Sequence, residues 1–459
     1  MKKLEVDMTS GAIFKKIVAF AIPLIFTNLL QILFNACDVL ILGIFVNDNA
    51  VAAVGATSAL INLIVGLFVG LSVGANVMVS AYLGKRDEEK VKRTVGMSVL
   101  LSVIVGVLLI FVGVFGARLF LTWMSCAPAV IDMAETYLKI YFIGMPVMML
   151  YNFCAAILRA AGETVKPLVF LTVGGIVNVL LNIFFVTVLR KNVEGVAIAT
   201  VVSQAISAAC CIYILLKSKG VLKLELKHLR IYKSELWEMV KIGVPSGLQG
   251  CLFSVSNVVV QSGVNSFGEV VMAGNSYAQQ IEAVVYQSMD GVSLAALSFV
   301  GQNYGAGKYD RIKKIVWECT LLVTIVGVVL GGLAALLAKE LVGLIASDPA
   351  VTEVAARRMV IVCLPYALCG IMEVYSFALR GFGKSTSSML INLFCTCVFR
   401  IVWISVMLKI IDEIYVVYWA YPISWFLAAA CMMVYYFITL NKLIKKSERE
   451  KEEELPGVI

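Results

Sequence analysis

Twelve apolar runs, each about as long as a membrane crossing, follow one another along 459 residues with little chain between them. They occupy 13–46, 50–80, 94–120, 133–157, 167–189, 195–216, 238–264, 270–300, 315–338, 353–378, 388–409 and 415–440. A helix needs roughly 20 apolar residues to cross a hydrocarbon core about 30 Å thick, so twelve crossings with short loops consume nearly the whole length. With 61% hydrophobic and 15% charged residues, too little polar surface remains to cover a soluble globule. The expected fold is therefore an all-α polytopic membrane protein. The first run follows Met1-Lys2-Lys3 and so resembles a signal peptide, but it is too long for one and carries Asn28, Asn35 and Asp38. It reads as a retained transmembrane helix.

The basic residues orient these spans. Segments at the N-terminus, after spans two, four, six, eight and ten, and in the tail hold 29 of the 38 Lys and Arg. The opposite face collects Arg118, Lys139, Arg190, Lys191, Lys339, Arg357, Arg358 and Lys409, and Arg400 lies within span eleven. The positive-inside rule then puts both termini in the cytoplasm of a multi-pass protein of the cell's inner (plasma) membrane. The net charge of +8 is accounted for as a topology signal, which leaves no need for a nucleic-acid partner.

A shift of 221 residues superimposes the chain on itself. It pairs Gly70-x-Ser72 with Gly291-x-Ser293, Gly84 with Gly305, Lys90 with Arg311 and Pro128-Ala129-Val130 with Pro349-Ala350-Val351. It also pairs Leu158-Arg159-x-x-Gly162 with Leu379-Arg380-x-x-Gly383, while a shift of 222 pairs Pro23 with Pro245 and Asn35 with Asn257. Each repeat holds six spans, an even number, so the halves share one orientation and are expected to flank a permeation path. The expected organisation is an N-terminal segment 1–12, a six-helix lobe 13–216, an interfacial linker 217–237, a second lobe 238–440 and a charged tail 441–459. Part of the linker, with Leu222, Leu224, Leu226, Leu229, Ile231, Leu236 and Trp237 among its charges, reads as an amphipathic helix on the inner leaflet.

Several motifs that suggest chemistry lack their partners. Gly70-Leu71-Ser72-Val73-Gly74 has the nucleophile-elbow pattern, but the chain's one histidine, His228, lies in the linker, and Gly66, Gly70 and Gly74 instead make a small-residue stripe for close helix packing. Gly383-Lys384-Ser385 ends like a phosphate loop, yet Ala378 stands where its first glycine belongs. Twelve cysteines, among them Cys154, Cys210, Cys211, Cys251, Cys363, Cys369, Cys395 and Cys431, contain no C-x-x-C pair and read as small buried hydrophobes. No enzyme active site, cofactor or fixed metal site is expected.

Ionisable groups inside spans are costly and mark ion or substrate paths by default. Asp38, about four turns beyond the helix-weakening Pro23, is the clearest of them. Asn152, Asn178, Asn182 and Thr200 supply further oxygens, and Asn178 and Asn182, four apart, share a face. With Asp38 they make a candidate single-carboxylate site for a proton or a transient sodium ion; each alone could equally be an interhelical hydrogen bond. In the second half Glu282, Asp290 and Glu373 accompany Gln249, Asn257 and Gln261. Glu282 and Glu373 read either as substrate or second-cation ligands, joined by Gln249, Asn257 and Tyr277, or as structural pairs. Glu373 lies two turns from Arg380, a possible ion-pair partner, and Arg400 reads as the partner of a buried acid. Tyr277, Tyr286 and a methionine set could pack, or could face flat apolar cations.

Gly301-Gln302-Asn303-Tyr304-Gly305-Ala306-Gly307-Lys308, Leu379-Arg380-Gly381-Phe382-Gly383-Lys384-Ser385, Leu158-Arg159-Ala160-Ala161-Gly162 and the Pro23 to Asp38 stretch resemble the multidrug and toxic compound extrusion family over residues 10–440. The resemblance implies two pseudo-symmetric six-helix lobes around a V-shaped cleft. It further implies an antiporter that exports organic cations or other xenobiotics for entering protons or sodium ions by alternating access, a mechanism for which a two-lobe monomer is sufficient. Asp38, Asn152, Asn178 and Thr200 match the family's polar cation site, while Asn182 stands where an Asp is frequent, and Phe253 and Cys369 stand where a sodium-coupled branch has acids. A lipid-linked oligosaccharide flippase of the same superfamily is the alternative. An intramembrane enzyme or a passive channel explains the duplication less simply.

Overall fold

The computed structural model describes residues 6–454, with side chains through Glu450, so parts of the expected N-terminal segment and tail lie outside the described residues. The chain is helical almost throughout, and the helices are α1 Ile13–Phe45, α2 Asp48–Lys85, α3 Glu88–Trp123, α4 Ile131–Ile143, α5 Met145–Ala160, α6 Val165–Ile183, α7 Val193–Lys217 and α8 Lys233–Asn265. They continue as α9 Glu269–Gly305, α10 Tyr309–Leu336, α11 Ala338–Gly343, α12 Pro349–Cys363, α13 Ala367–Gly381, α14 Ser385–Asn392, α15 Phe399–Met407 and α16 Ile414–Glu454. Among the described residues ten helical stretches are long and apolar enough to cross a bilayer. The pairs α4–α5 and α12–α13, bent by 51° and 48°, each make one further crossing. Twelve spans result, as the apolar runs require. Outward-facing Ile44, Phe115, Trp317 and Leu344, each about two-thirds exposed or more, are what a lipid-facing surface presents.

The helices pack into two compact units. One comprises residues 26–248 and the extreme N-terminus, and the other residues 8–25 with 249–459. The packing therefore divides within α1 and α8, whereas the sequence places the boundary at the linker. Residues 8–25 join the second unit because the glycine-rich motif after span eight holds them there. The Met8 amide donates to Gln302 Oε1 (3.2 Å), Asn303 Nδ2 donates to the Met8 carbonyl (3.1 Å), and Lys308 Nζ donates to that of Thr9 (2.8 Å). Met8 is fully buried there, and Phe20 meets Phe299 edge to face with centroids 5.5 Å apart.

The internal repeat is visible in how helices end. After α5, the Gly162 amide donates to the Arg159 carbonyl (2.9 Å) and that of Glu163 to Leu158 (2.9 Å). After α13, Gly383 donates to Arg380 (2.7 Å) and Lys384 to Leu379 (2.9 Å). Both glycines are left-handed, at φ 90° and 74°, so the repeated Leu-Arg-x-x-Gly is a helix cap that satisfies otherwise orphaned carbonyls. A second equivalent pair, Arg86 at φ 58° and Gly307 at φ 67°, ends α2 and α9 in the same hand.

Three expectations change. Residues 218–232 hold only a one-turn 3-10 helix, Leu226–His228, and the helical part of the linker is the start of α8. Leu222, Leu224 and His228 are buried, and a Cβ on Gly96 of α3 would lie 2.4 Å from the His228 carbonyl, so this part of the linker packs on α3, while Leu226 and Trp237 stay exposed. The tail after residue 440 continues α16 to Glu454, with Lys446 and Glu450 one turn apart at 3.6 Å. All twelve cysteines are free, but Cys431 is exposed, so burial does not describe it.

Candidate cation and substrate cavities

A cavity of about 370 Å³ in the first unit is lined by Gln31, Asn35, Asp38, Tyr137, Asn178 and Thr200, among others. The polar side chains grouped around the carboxylate come from three helices. Asp38 lies in the second half of α1, Asn178 and Asn182 one turn apart on α6, and Thr200 on α7. Immediately after Asn182 the α-ladder gives way to a π-turn, Phe184–Val188, a distortion that recurs at functional sites.

Four side chains close a ring. Asn182 Nδ2 donates to Asp38 Oδ1 (2.5 Å) and to Asn178 Oδ1 (3.2 Å), Asn178 Nδ2 donates to Thr200 Oγ1 (3.3 Å), and Thr200 Oγ1 faces Asp38 Oδ2 (3.3 Å). The Thr200 hydroxyl has a single proton and a closer acceptor in the Val196 carbonyl at 3.0 Å, so its tie to Asp38 is weak. Asn182 Oδ1 is buried with no hydrogen-bond partner. Asp38 is 93% buried, and its hydrogen-bonding neighbours are neutral, so no cation among the described residues pairs with its carboxylate. A proton would neutralise that site, and its oxygen-rich donor set suits a hard monovalent cation.

Four of the five expected cation-site residues are thus joined directly. Asn152 lines the cavity, but its amide donates to the Met148 carbonyl one turn back (2.9 Å), outside the ring. Asn182, fully buried and absent from the cavity wall, backs the carboxylate. The glycine stripe divides by position. Cβ atoms on Gly70 and Gly74 would lie 2.3 Å from the Gly247 amide nitrogen and 2.6 Å from the Met239 carbonyl, whereas one on Gly66 would meet open space. The packing reading therefore holds for Gly70 and Gly74, and Gly66 belongs to the cavity wall.

A second cavity, of about 620 Å³, lies in the other unit and is lined by Asn257, Glu282, Glu373, Arg358, Arg400 and the rings of Tyr286, Tyr366, Tyr421 and Trp425. Glu282 is already engaged. Arg358 of α12 grips it with Nε to Oε1 at 2.9 Å and Nη2 to Oε2 at 2.7 Å, while Nη1 donates to Asn275 Oδ1 at 2.8 Å. Of the two readings of Glu282, ligand or structural pair, this geometry matches the structural pair. It also removes Arg358 from the loop charges, since the residue is 1% exposed and sits between Tyr418 and Tyr421. Periodicity could have found it: Val351, Ala355, Arg358, Met359 and Val362 share the buried face of α12.

The remaining expectations for this half fare unevenly. Glu373 makes no ion pair with Arg380 among the described residues; that guanidinium donates to Ser376 Oγ (3.3 Å) and lies over the Phe377 ring. Arg400 pairs with no acid among the described residues. Its Nε donates to Ser424 Oγ (2.9 Å) and its plane lies 4.4 Å from the Tyr421 centroid. A π-turn, Leu393–Val398, immediately precedes it. Gln249 reaches Ser376 at 3.5 Å and Tyr277 packs on the core, and neither lines the cavity; Asn257 does.

Comparison with known proteins agrees with this architecture. The probable multidrug resistance protein YpnP of Bacillus subtilis is 26% identical over 398 residues, covering 86% of this chain and 88% of that protein. The probable multidrug resistance protein NorM of Thermotoga maritima is 23% identical, covering 82% of each. The crystal structure titled "MATE in the bent conformation" superimposes with a TM-score of 0.90 at 20% identity, over 96% of this chain and 98% of that one. The model of the MatE family matches residues 23–184 and again 245–406, each limit of the second block lying 222 residues beyond that of the first. The repeat, the twelve spans and this double match together establish that the chain belongs to the MatE (multidrug and toxic compound extrusion) family of membrane transporters.

Proposed function

We propose that the protein is a secondary active multidrug antiporter that exports organic cations or other xenobiotics in exchange for protons or sodium ions by alternating access. The observation that carries this reading is Asp38, a carboxylate within a membrane span, ringed by Asn182, Asn178 and Thr200 at a cavity wall and lacking a cationic partner. A proton or sodium ion supplies the missing positive charge. Coupling requires that the ion and the cargo favour different conformational states, and a site whose charge balance depends on the ion supplies such a difference. The cargo is assigned to the 620 Å³ cavity, whose aromatic lining suits flat organic molecules. The excess of basic residues on one face supports cytoplasmic termini in the plasma membrane, and a single chain carries both cavities, so a monomer suffices.

The test is efflux of a fluorescent organic cation from proteoliposomes under imposed proton or sodium gradients, with Asp38→Asn alongside. Gradient-driven efflux that the variant loses supports the reading and names the ion. Efflux that the gradients do not affect, or that Asp38→Asn retains in full, refutes it.

A further inference from the structure

Two charged side chains in the 620 Å³ cavity are left over once the Arg358–Glu282 pair is complete. Arg400 is 3% exposed and has five N–H groups, of which only Nε–H finds an acceptor among the described residues, in Ser424. Among the described residues no carboxylate lies within ion-pair distance of it. Glu373, 4% exposed, likewise makes no hydrogen bond or ion pair among the described residues, although Arg380 and Asp290 stand within electrostatic range. Both line the same cavity, with Tyr286, Tyr366, Tyr421 and Trp425 around them.

A guanidinium buried in a membrane protein without a counter-charge is expensive to maintain. Its position is nonetheless fixed. Ser424 holds the Nε edge and Tyr421 covers one face, which leaves the two terminal amino groups, the edge that binds carboxylates in bidentate fashion. A purely structural arginine would spend that edge on the protein, as Arg358 does in the same cavity with all three of its nitrogens.

We propose that the cavity recognises aromatic zwitterions, with Arg400 receiving the ligand's carboxylate, Glu373 facing its cationic group and the aromatic side chains covering its rings. The inference rests on the assignment of this cavity to cargo and narrows the cargo's chemistry: a ligand carrying both charges completes two pairs, whereas a simple organic cation leaves Arg400 unmatched. The identities of Arg400 and Glu373 thereby set charge selectivity.

Three xanthene dyes separate the possibilities. Rhodamine 110 carries a delocalised cation and a carboxylate, rhodamine 123 is its methyl ester and keeps only the cation, and fluorescein keeps only anionic groups. Binding is read by fluorescence polarisation on the full chain in nanodiscs, with empty nanodiscs as the lipid blank. The expected result is rhodamine 110 bound at least about tenfold more tightly than either relative, the lower range for a charge-assisted hydrogen bond. Arg400→Gln should abolish the preference of rhodamine 110 over rhodamine 123, with retained binding of the ester reporting a folded cavity, and Arg400→Lys should restore part of the preference. Equal or tighter binding of the ester by the native protein overturns the proposal, as does native protein that binds none of the dyes, or a preference that survives Arg400→Gln. Because binding needs no gradient, a preference seen in protein that shows no coupled efflux would refute the antiport mechanism and leave this inference standing.

Discussion

The guanidinium of Arg358 holds the carboxylate of Glu282 through two parallel N–H···O bonds, on helices whose sequence positions are 76 residues apart. Removing one member strands a buried charge, which typically costs about 3–5 kcal/mol, while removing both exchanges a desolvated ion pair for ordinary packing. Arg358→Met and Glu282→Gln alone should each lower thermal stability markedly in detergent, followed by tryptophan fluorescence, and the double variant should recover most of the loss. Losses that simply add would show that the two side chains do not act as a pair.

Asn182→Ala removes the donor to Asp38 and to Asn178 together. A hydrogen bond to a charged group contributes about 1.5–3 kcal/mol, so the coupling ion's apparent affinity in efflux assays should change by about tenfold or more. Asn152→Ala should have a smaller effect, because that amide bonds to its own helix. The reverse order of effects would remove Asn182 from the coupling site.

The glycine stripe makes a steric prediction. A side chain at Gly70 collides with the Gly247 backbone, so Gly70→Val should destabilise the fold by about 1–3 kcal/mol. Gly66→Ala, which enters open space, should leave stability unchanged or raise it by up to about 1 kcal/mol. Melting curves of the two variants in the same detergent decide it.

The helix caps make another. Gly162→Ala and Gly383→Ala place a Cβ in a left-handed backbone and should each cost about 1–2 kcal/mol. Arg86→Gly should be neutral or stabilising by up to about 1 kcal/mol, since an exposed arginine occupies a conformation that its counterpart in the repeat, Gly307, adopts freely. A lower melting temperature for Arg86→Gly would mean that the Arg86 side chain contributes to the fold.

What was legible in the sequence followed from one-dimensional periodicity. Apolar run lengths located the twelve spans, and a constant offset exposed the repeat. Asp38, Asn178, Asn182 and Thr200 could be grouped because polar atoms inside apolar runs must find one another, and the structure closes them into a ring. Partner choice was not legible. Glu282 was available on paper to a substrate, but Arg358, reached 76 residues later through α12, occupies both its oxygens. Arg400 was assigned a buried acid that the fold does not supply. The Gly301–Lys308 motif was legible only as a family signature; that it clamps Met8 and Thr9 depends on contacts about 300 residues apart in sequence.

The division of packing inside α1 and α8 bears on how such a chain can be cut. A protease nick or a split gene at the linker near residue 220 would not yield two self-sufficient pieces, because residues 8–25 are counted in the packing of 249–459 and the linker's far side, through Leu248, in that of 26–217. Each fragment would carry a limb that belongs to the other's core. Two pieces cut at the linker would therefore have to trade their leading segments for each to complete its own packing.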